Sequence, residues 1–154
     1  MSLVTTRTGD QLLAFHPGAE LQPLEEYPDL PLTFACVIPR YEGKVLFIFN
    51  LWRQEWELPS GLIELDETPY AAAVRELEEE SGQAADTLSY VGLLLIGLKK
   101  GTQLELGAVY RCELEQLQPF KQNIESTHFM LWDLHESVEG HVNEIAYVLA
   151  KLGQ

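Results

Sequence analysis

The sequence predicts a single α/β domain, on three observations. Apolar runs of strand length come in two pairs around glycine-containing turns, a well-capped helix follows the first pair, and an amphipathic helix closes the chain. At 154 residues there is material for one domain, which at this size buries roughly two thirds of its unfolded surface without disulfide or metal staples. Hydrophobic content of 46% is ordinary for a packed globule, and no internal repeat or low-complexity tract stands out.

Taken in order, residues 1–32 read as an extended N-terminal segment packing on a domain that spans residues 33–154. Its Pro-rich stretch "HPGAELQPLEEYPDLPL" is also the part suited to pack across a homodimer. "TFACVIP" (Thr33 to Pro39) and "KVLFIFNL" (Lys44 to Leu51) are β-branched and aromatic runs around "RYEG", which predicts two buried strands joined by a hairpin loop. Thr68 suits an N-cap, Pro69 the first helical position and Gly82 a left-handed stop, so a helix runs from about Pro69 to Ser81. Its stripe of Tyr70, Ala73, Val74, Leu77 and Ser81 is expected to face the sheet. "LSYVGLLLIGL" and "TQLELGAVYRCEL" flank "KKG" as a second hairpin, and a short strand is expected with its core at Phe129 to Leu134. In "VNEIAYVLAKL", Val142, Ile145, Ala146, Leu149 and Leu152 share one stripe at helical spacing, the core-facing side of a helix lying on the sheet.

Composition excludes several classes. A formal charge of −14 disfavours binding to a nucleic-acid polymer, which needs clustered Lys and Arg. The opening residues lack an apolar core of signal-peptide length, and the longest apolar run, Val91 to Leu98, is far below membrane-spanning length. The expectation is a soluble cytoplasmic protein with no membrane partner. Cys36 and Cys112 sit in apolar runs without CxxC or Cys/His spacing, so they read as buried free thiols.

The charge is uneven. Between Glu55 and Glu80 there are nine acids (Glu55, Glu57, Glu64, Asp66, Glu67, Glu76, Glu78, Glu79 and Glu80) against one base, Arg75. On the helix, Glu76 and Glu80 lie side by side and Glu79 next to them, at the negative end of the helix dipole, so they repel each other and the dipole alike. A charged helix face is usually only a solvated surface, but a locally unfavourable choice is also what a functional site looks like. Oxygen ligands at this density, with no His or Cys nearby, select magnesium or manganese rather than zinc. The matching partner is a pyrophosphate, whose charge a metal would neutralise.

These residues resemble the Nudix box. Gly61, Glu67, Arg75-Glu76-Leu77, Glu79-Glu80 and Gly82 hold its eight fixed positions in register. Ser60 replaces the glycine that commonly precedes Gly61, and Gln83 replaces an apolar residue after Gly82. The resemblance implies an α/β/α sandwich with a mixed sheet, and a Mg2+-dependent pyrophosphohydrolase (Mn2+ being the alternative) acting on a small nucleoside diphosphate derivative. It implies that Gly61, Glu76, Glu79 and Glu80 hold metal, that Glu76 doubles as a candidate general base, and that Arg75 orients a glutamate, with Glu67 within its reach. A plain loop-to-helix salt bridge remains an equal reading for Arg75. Family members also recruit a carboxylate from outside the box, and Glu125 in "NIESTHFMLW" sits where such a residue occurs. Arg53 is a candidate phosphate ligand, and Trp52 and Trp56 are candidates for stacking a base, although Trp56 also suits the core. His128 reads as a strand-edge polar residue. Subgroup markers downstream of the box are missing, which leaves a nucleoside triphosphate or another compact nucleotide as the default substrate. Two readings stand beside the hydrolase: a Nudix-like domain that binds a nucleotide without cleaving it, and an acidic cation-binding structural protein.

Overall fold

The computed structural model describes residues 3–22 and 24–153. Residues 1, 2, 23 and 154, which the division into residues 1–32 and 33–154 also takes in, lie outside the described residues. Ten strands form one mixed sheet: β1 (Val4–Thr5), β2 (Gln11–Pro17), β3 (Leu32–Tyr41), β4 (Lys44–Asn50), β5 (Glu55–Glu57), β6 (Ser60–Leu62), β7 (Ser89–Leu98), β8 (Gln103–Glu113), β9 (Ser126–Trp132) and β10 (His141–Val142). Two helices complete it, α1 (Pro69–Ser81) and α2 (Glu144–Leu152). The main path runs β1-β2-β7-β8-β3-β4-β5-β10, with β6 added on β3 and β9 on β4. Pairing is antiparallel except between β3 and β8 and between β5 and β10.

Both expected hairpins form. Glu42 and Gly43 take left-handed φ values of 50° and 80° at the first turn, as a tight hairpin requires. β3 and β4 pair there only at Arg40↔Val45 and Tyr41↔Lys44. Beyond the turn they part: β3 pairs with β8 and β6, β4 with β9 and β5. The parting brings Ser60 and Gly61 of β6 under α1, and this local topology builds the site.

Alternation along the central strands gives two cores. Cys36, Ile38, Val45 and Phe47 point to one face and pack with Ile145, Ala146, Leu149 and Ala150 of α2. Ala35, Val37, Leu46 and Ile48 point to the other and pack with Ala72, Ala73 and Leu77 of α1. The result is an α/β/α sandwich. Phe47 and Ile48 are both fully buried, and burial of such side chains is worth about 1.5–3 kcal/mol each, so β4 is held from both sides. In the N-terminal part, β2 pairs along β7, and Leu24, Tyr27 and Leu30 cover Leu93, Leu95 and Leu106. No helix among the described residues is long and apolar enough to cross a membrane. Cys36 and Cys112 are free and buried in opposite cores, and burial pushes both thiols up to about 12.

Three expectations need correction. The strand expected at Phe129 to Leu134 begins at Ser126 and ends at Trp132, because the Asp133 carboxylate accepts the His135 and Glu136 N–H groups at 2.8 Å each and turns the chain. The buried face of α1 is Ala72, Ala73, Glu76, Leu77, Glu80 and Ser81, while Tyr70 and Val74 are each 40% exposed. Ala73, Leu77 and Ser81 of the expected stripe do face inward, but Ala72 and the acids Glu76 and Glu80 take the inward places expected of Tyr70 and Val74. On α2, Ala150 is buried in place of Leu152, and Val142 precedes the helix in β10, where it pairs with Trp56.

Gln83, polar where the family pattern has an apolar residue, is fully buried. Its Nε2 donates to the Gln118 carbonyl at 2.7 Å and its Oε1 accepts from Gln118 N at 2.9 Å, which ties the end of α1 to the connection between β8 and β9. Gln83→Leu, although closer to the family pattern, should therefore destabilise the fold by about 1–3 kcal/mol by orphaning both groups. Chemical denaturation reads the result, and unchanged stability would contradict it.

Candidate functional site

α1 carries the site and its ends are fixed as expected. Thr68 Oγ1 accepts from Ala71 N at 3.1 Å, Pro69 opens the helix, and Gly82 closes it with φ 76° and its N–H on the Glu78 carbonyl. The inward face then brings Glu76 and Glu80, 9% and 7% exposed, against β6. Ser60 N donates to Glu80 Oε1 at 2.9 Å. Gly61 lies so close to the Glu76 carboxylate that a Cβ there would overlap it, so a larger residue would displace that carboxylate from its place against β6. Burial raises the Glu76 carboxyl above its ordinary value. Burial, followed by the charges of Glu76, Glu125 and Glu57, pushes Glu80 up to about 9 despite the Ser60 N–H.

Arg75 gathers the outer carboxylates. Its Nε and one terminal nitrogen reach the two Glu67 oxygens at 2.8 Å each, a bidentate pair. The other terminal nitrogen donates to Glu76 at 2.7 Å and Glu79 at 3.3 Å, and Glu64 lies 3.7 Å away. Arg75 also donates to the Leu62 carbonyl at 3.0 Å, so it ties β6, the loop and the helix together. These bonds hold the Glu67 carboxyl down at about 2.

A further row was not legible in the sequence. Glu55 is buried and accepts from Asn143 Nδ2 at 2.8 Å; Glu57 accepts from Asn50 Nδ2 at 3.0 Å and pairs with Arg53 at 3.2 Å. Burial, then its contact with Glu55, pushes Glu57 up to about 8 against the pull of Arg53 and Asn50. Asn123 Oδ1 accepts the Glu125 and Ser126 N–H groups at 2.9 Å each, and its Nδ2 donates to the Glu79 carbonyl at 2.8 Å. That anchor brings Glu125 close enough for its charge to act on Glu80. The only sequence hint was an Asn two residues before an acid, a common turn arrangement. Trp56, 7% exposed, stacks edge-on with Phe49 and donates to the Glu139 carbonyl, so it belongs to the core. His128 stacks on the same Phe49, on the α2 side of the sheet.

The donor set suits a hard divalent cation. Two buried carboxylates face each other beside a glycine backbone, every candidate donor is oxygen, and the ionised forms stay unfavourable until a cation neutralises them. Among the described residues no three acids stand in metal-holding geometry, and Glu79 bonds to Arg75 at 3.3 Å. The Glu79 side chain is 59% exposed. The raised carboxyl of Glu80 has a definite consequence. The folded state holds this proton more tightly than the unfolded chain, so the associated stability is present below about pH 4.5 and is lost as pH rises through about 9. In chelator the melting temperature should therefore fall across that window, and millimolar magnesium should restore it increasingly at higher pH. Melting curves that coincide at pH 9 with and without magnesium would contradict this.

A parted mixed sheet between two helices, with a glutamate helix facing a glycine strand, defines a class of fold. The NUDIX domain model matches residues 29–149, and the chain belongs to the NUDIX family. A MutT-like protein of Streptomyces ambofaciens is 34% identical over 82 residues, 53% of this chain and 51% of its own. An RNA pyrophosphohydrolase of Stenotrophomonas maltophilia is 36% identical over 56 residues, 36% of this chain and 27% of its own. The chain thus spans about half the length of the first relative and about a quarter of the second. In fold it is similar to a mutant of the Bacillus subtilis pyrophosphohydrolase BsRppH, with TM-score 0.70 and 22% identity over 99% of this chain and 93% of that one.

Proposed function

We propose that this chain is a magnesium-dependent pyrophosphohydrolase that cleaves a nucleoside diphosphate linked to another group, with a small nucleoside triphosphate as the first candidate. The observation that carries the reading is the buried Glu76–Glu80 pair set against Gly61, with Arg75 binding the surrounding acids. The names of the relatives, two of them pyrophosphohydrolases, support the same reaction.

Glu76, Glu79, Glu80 and the Gly61 carbonyl would hold the metal. When bound, the cation neutralises charge on the departing phosphate and lowers the pKa of a coordinated water. Arg75 offsets part of the cost of ionising the buried Glu76 and aims its carboxylate inward, and Glu67 fixes the guanidinium from the other side. Glu125 takes the proton from the attacking water: Glu76 is already engaged by Arg75, whereas the loop anchored by Asn123 presents Glu125 to the same cluster. Arg53, whose side chain is 65% exposed, reaches the substrate phosphates by leaving the mostly buried Glu57 with which it pairs.

The RNA pyrophosphohydrolase relative favours a second substrate, the 5′-triphosphate end of RNA, against which the charge of −14 weighs. The test is phosphate or pyrophosphate release from nucleoside triphosphates, nucleoside diphosphate sugars, dinucleoside polyphosphates, NADH and a triphosphorylated RNA oligonucleotide, with and without magnesium, for wild type and Glu79→Gln. Magnesium-dependent release lost in the variant is expected. Nucleotide binding without release from any compound would transfer the assignment to a non-catalytic nucleotide-binding domain.

A further inference from the structure

We propose that Arg7 is a positioning residue for Arg53: it clasps the turn that carries Arg53 and so sets where that guanidinium meets the substrate phosphates. The assignment rests on the pyrophosphohydrolase reading and on the phosphate contact given there to Arg53. Strand order alone would keep the two residues apart. β1 opens the main path of the sheet and β5 lies next to its far end, yet Arg7, in the turn between β1 and β2, bonds to the turn between β4 and β5. The sheet therefore curls until its two ends meet, and Val4 of β1 packs on the same core as Ile145 and Leu149 of α2.

One terminal nitrogen of Arg7 donates to the Arg53 carbonyl at 2.8 Å and to the Gln54 carbonyl at 3.1 Å, and its Nε lies 3.8 Å from the buried Glu55 carboxylate. Gln54 needs such a hold, because its φ of 54° lies in the left-handed region that residues other than glycine rarely adopt. The rest of the turn is tied from inside: Asn50 Oδ1 accepts the Trp52 and Arg53 N–H groups at 2.9 Å each, and Gln54 Nε2 donates to the Leu51 carbonyl at 2.7 Å. Arg7 is itself fixed by its neighbour. Thr6 is buried, its hydroxyl accepts from Asp10 N at 3.0 Å and its carbonyl accepts from Gly9 N at 3.0 Å. With the backbone pinned, Arg53 exchanges Glu57 for a phosphate by turning its side chain alone. A turn that wandered would have to be ordered by each substrate, and that ordering would weaken binding rather than slow the chemical step. Arg7 grips backbone carbonyls and not the Arg53 side chain, so its effect on phosphate binding should disappear once Arg53 is gone.

The test measures the KM of a nucleoside triphosphate and the inhibition constant of inorganic tripolyphosphate, which has the anhydride but no base. The proteins compared are wild type, Arg7→Ala, Arg7→Lys, Arg53→Ala and the double variant Arg7→Ala/Arg53→Ala. Arg7→Ala should raise both constants about fivefold with kcat nearly unchanged, and Arg7→Lys, which keeps the charge but not the fork, should recover part of the loss. Arg53→Ala should raise both constants at least as far, and the double variant should match Arg53→Ala alone. Loss of positive charge by itself would weaken an anion in either background, so losses that multiply overturn the assignment and make Arg7 an independent contributor to the field. Wild-type constants in Arg7→Ala overturn it, as does a fall in kcat at constant KM. So do constants unmoved by Arg53→Ala, which would leave Arg7 nothing to position. Should Arg7→Ala fail to fold, Arg7→Lys takes its place in the same cycle under the same criteria. If wild type hydrolyses nothing, the hydrolase reading fails separately, and calorimetric titration with tripolyphosphate and magnesium decides the clasp. Affinity lost in Arg7→Ala, with no further loss when Arg7 is removed from Arg53→Ala, sustains it; multiplied losses, unchanged affinity or absent binding overturn it.

Discussion

Glu80→Gln is expected to reduce turnover by roughly two to three orders of magnitude while making the metal-free protein more stable. The two effects have one cause. Glu80 is 7% exposed and its carboxyl is pushed up to about 9, so near neutral pH the metal-free fold must hold a proton that water would remove. Glutamine keeps the oxygen that accepts the Ser60 N–H at 2.9 Å and has no charge to bury. The gain should be on the order of 1–3 kcal/mol at pH 7 and should vanish well below pH 4.5, where the glutamate is protonated in both folded and unfolded states. A carboxylate kept for a metal thus costs stability when the metal is withdrawn, a common trade at active sites. Turnover and a melting temperature both indistinguishable from wild type would remove Glu80 from the site; a variant that melts lower at pH 7 would show that the carboxylate serves packing instead.

What could be read from the sequence was what is local. Thr68, Pro69 and Gly82 mark the ends of α1 because capping involves neighbours three or four residues apart. The turns at Glu42-Gly43 and at Lys99, Lys100 and Gly101, all with positive φ, were marked for the same reason. The acids of α1 were found by spacing, yet their burial was not, because hydropathy assigns the inside of a helix to Tyr70 and Val74 and has no means to place a glutamate there. Tyr70 stays partly outside and uses its hydroxyl to accept the Leu88 N–H. β5 and β6 are three residues each, too short for a period to register, and they matter because β6 supplies Ser60 and Gly61. Asn50 and Glu57 meet across the turn between β4 and β5, and Asn123 joins the site through a bond to a residue far along the chain, neither of which a periodic pattern announces.

Arg75→Lys is expected to lower the melting temperature by roughly 5 °C and to reduce activity by about ten- to a hundredfold, although the charge is conserved. A guanidinium serves several acceptors in one plane: both oxygens of Glu67 at 2.8 Å, Glu76 at 2.7 Å and the Leu62 carbonyl at 3.0 Å. An ammonium at the end of a flexible stem can replace one or two of these at a time. The stability loss has a pH signature that separates it from ordinary damage. Glu67 is held down at about 2, so its share of the stability is present above pH 4.5 and is lost as pH falls through about 2. The gap between wild type and variant should therefore narrow as acid is added over that window. It should also be smaller when both proteins carry Glu67→Gln, since the bidentate partner is then gone from each. A gap independent of pH and of Glu67 would mean that the arginine matters for its bulk against the loop and not for the carboxylates it holds.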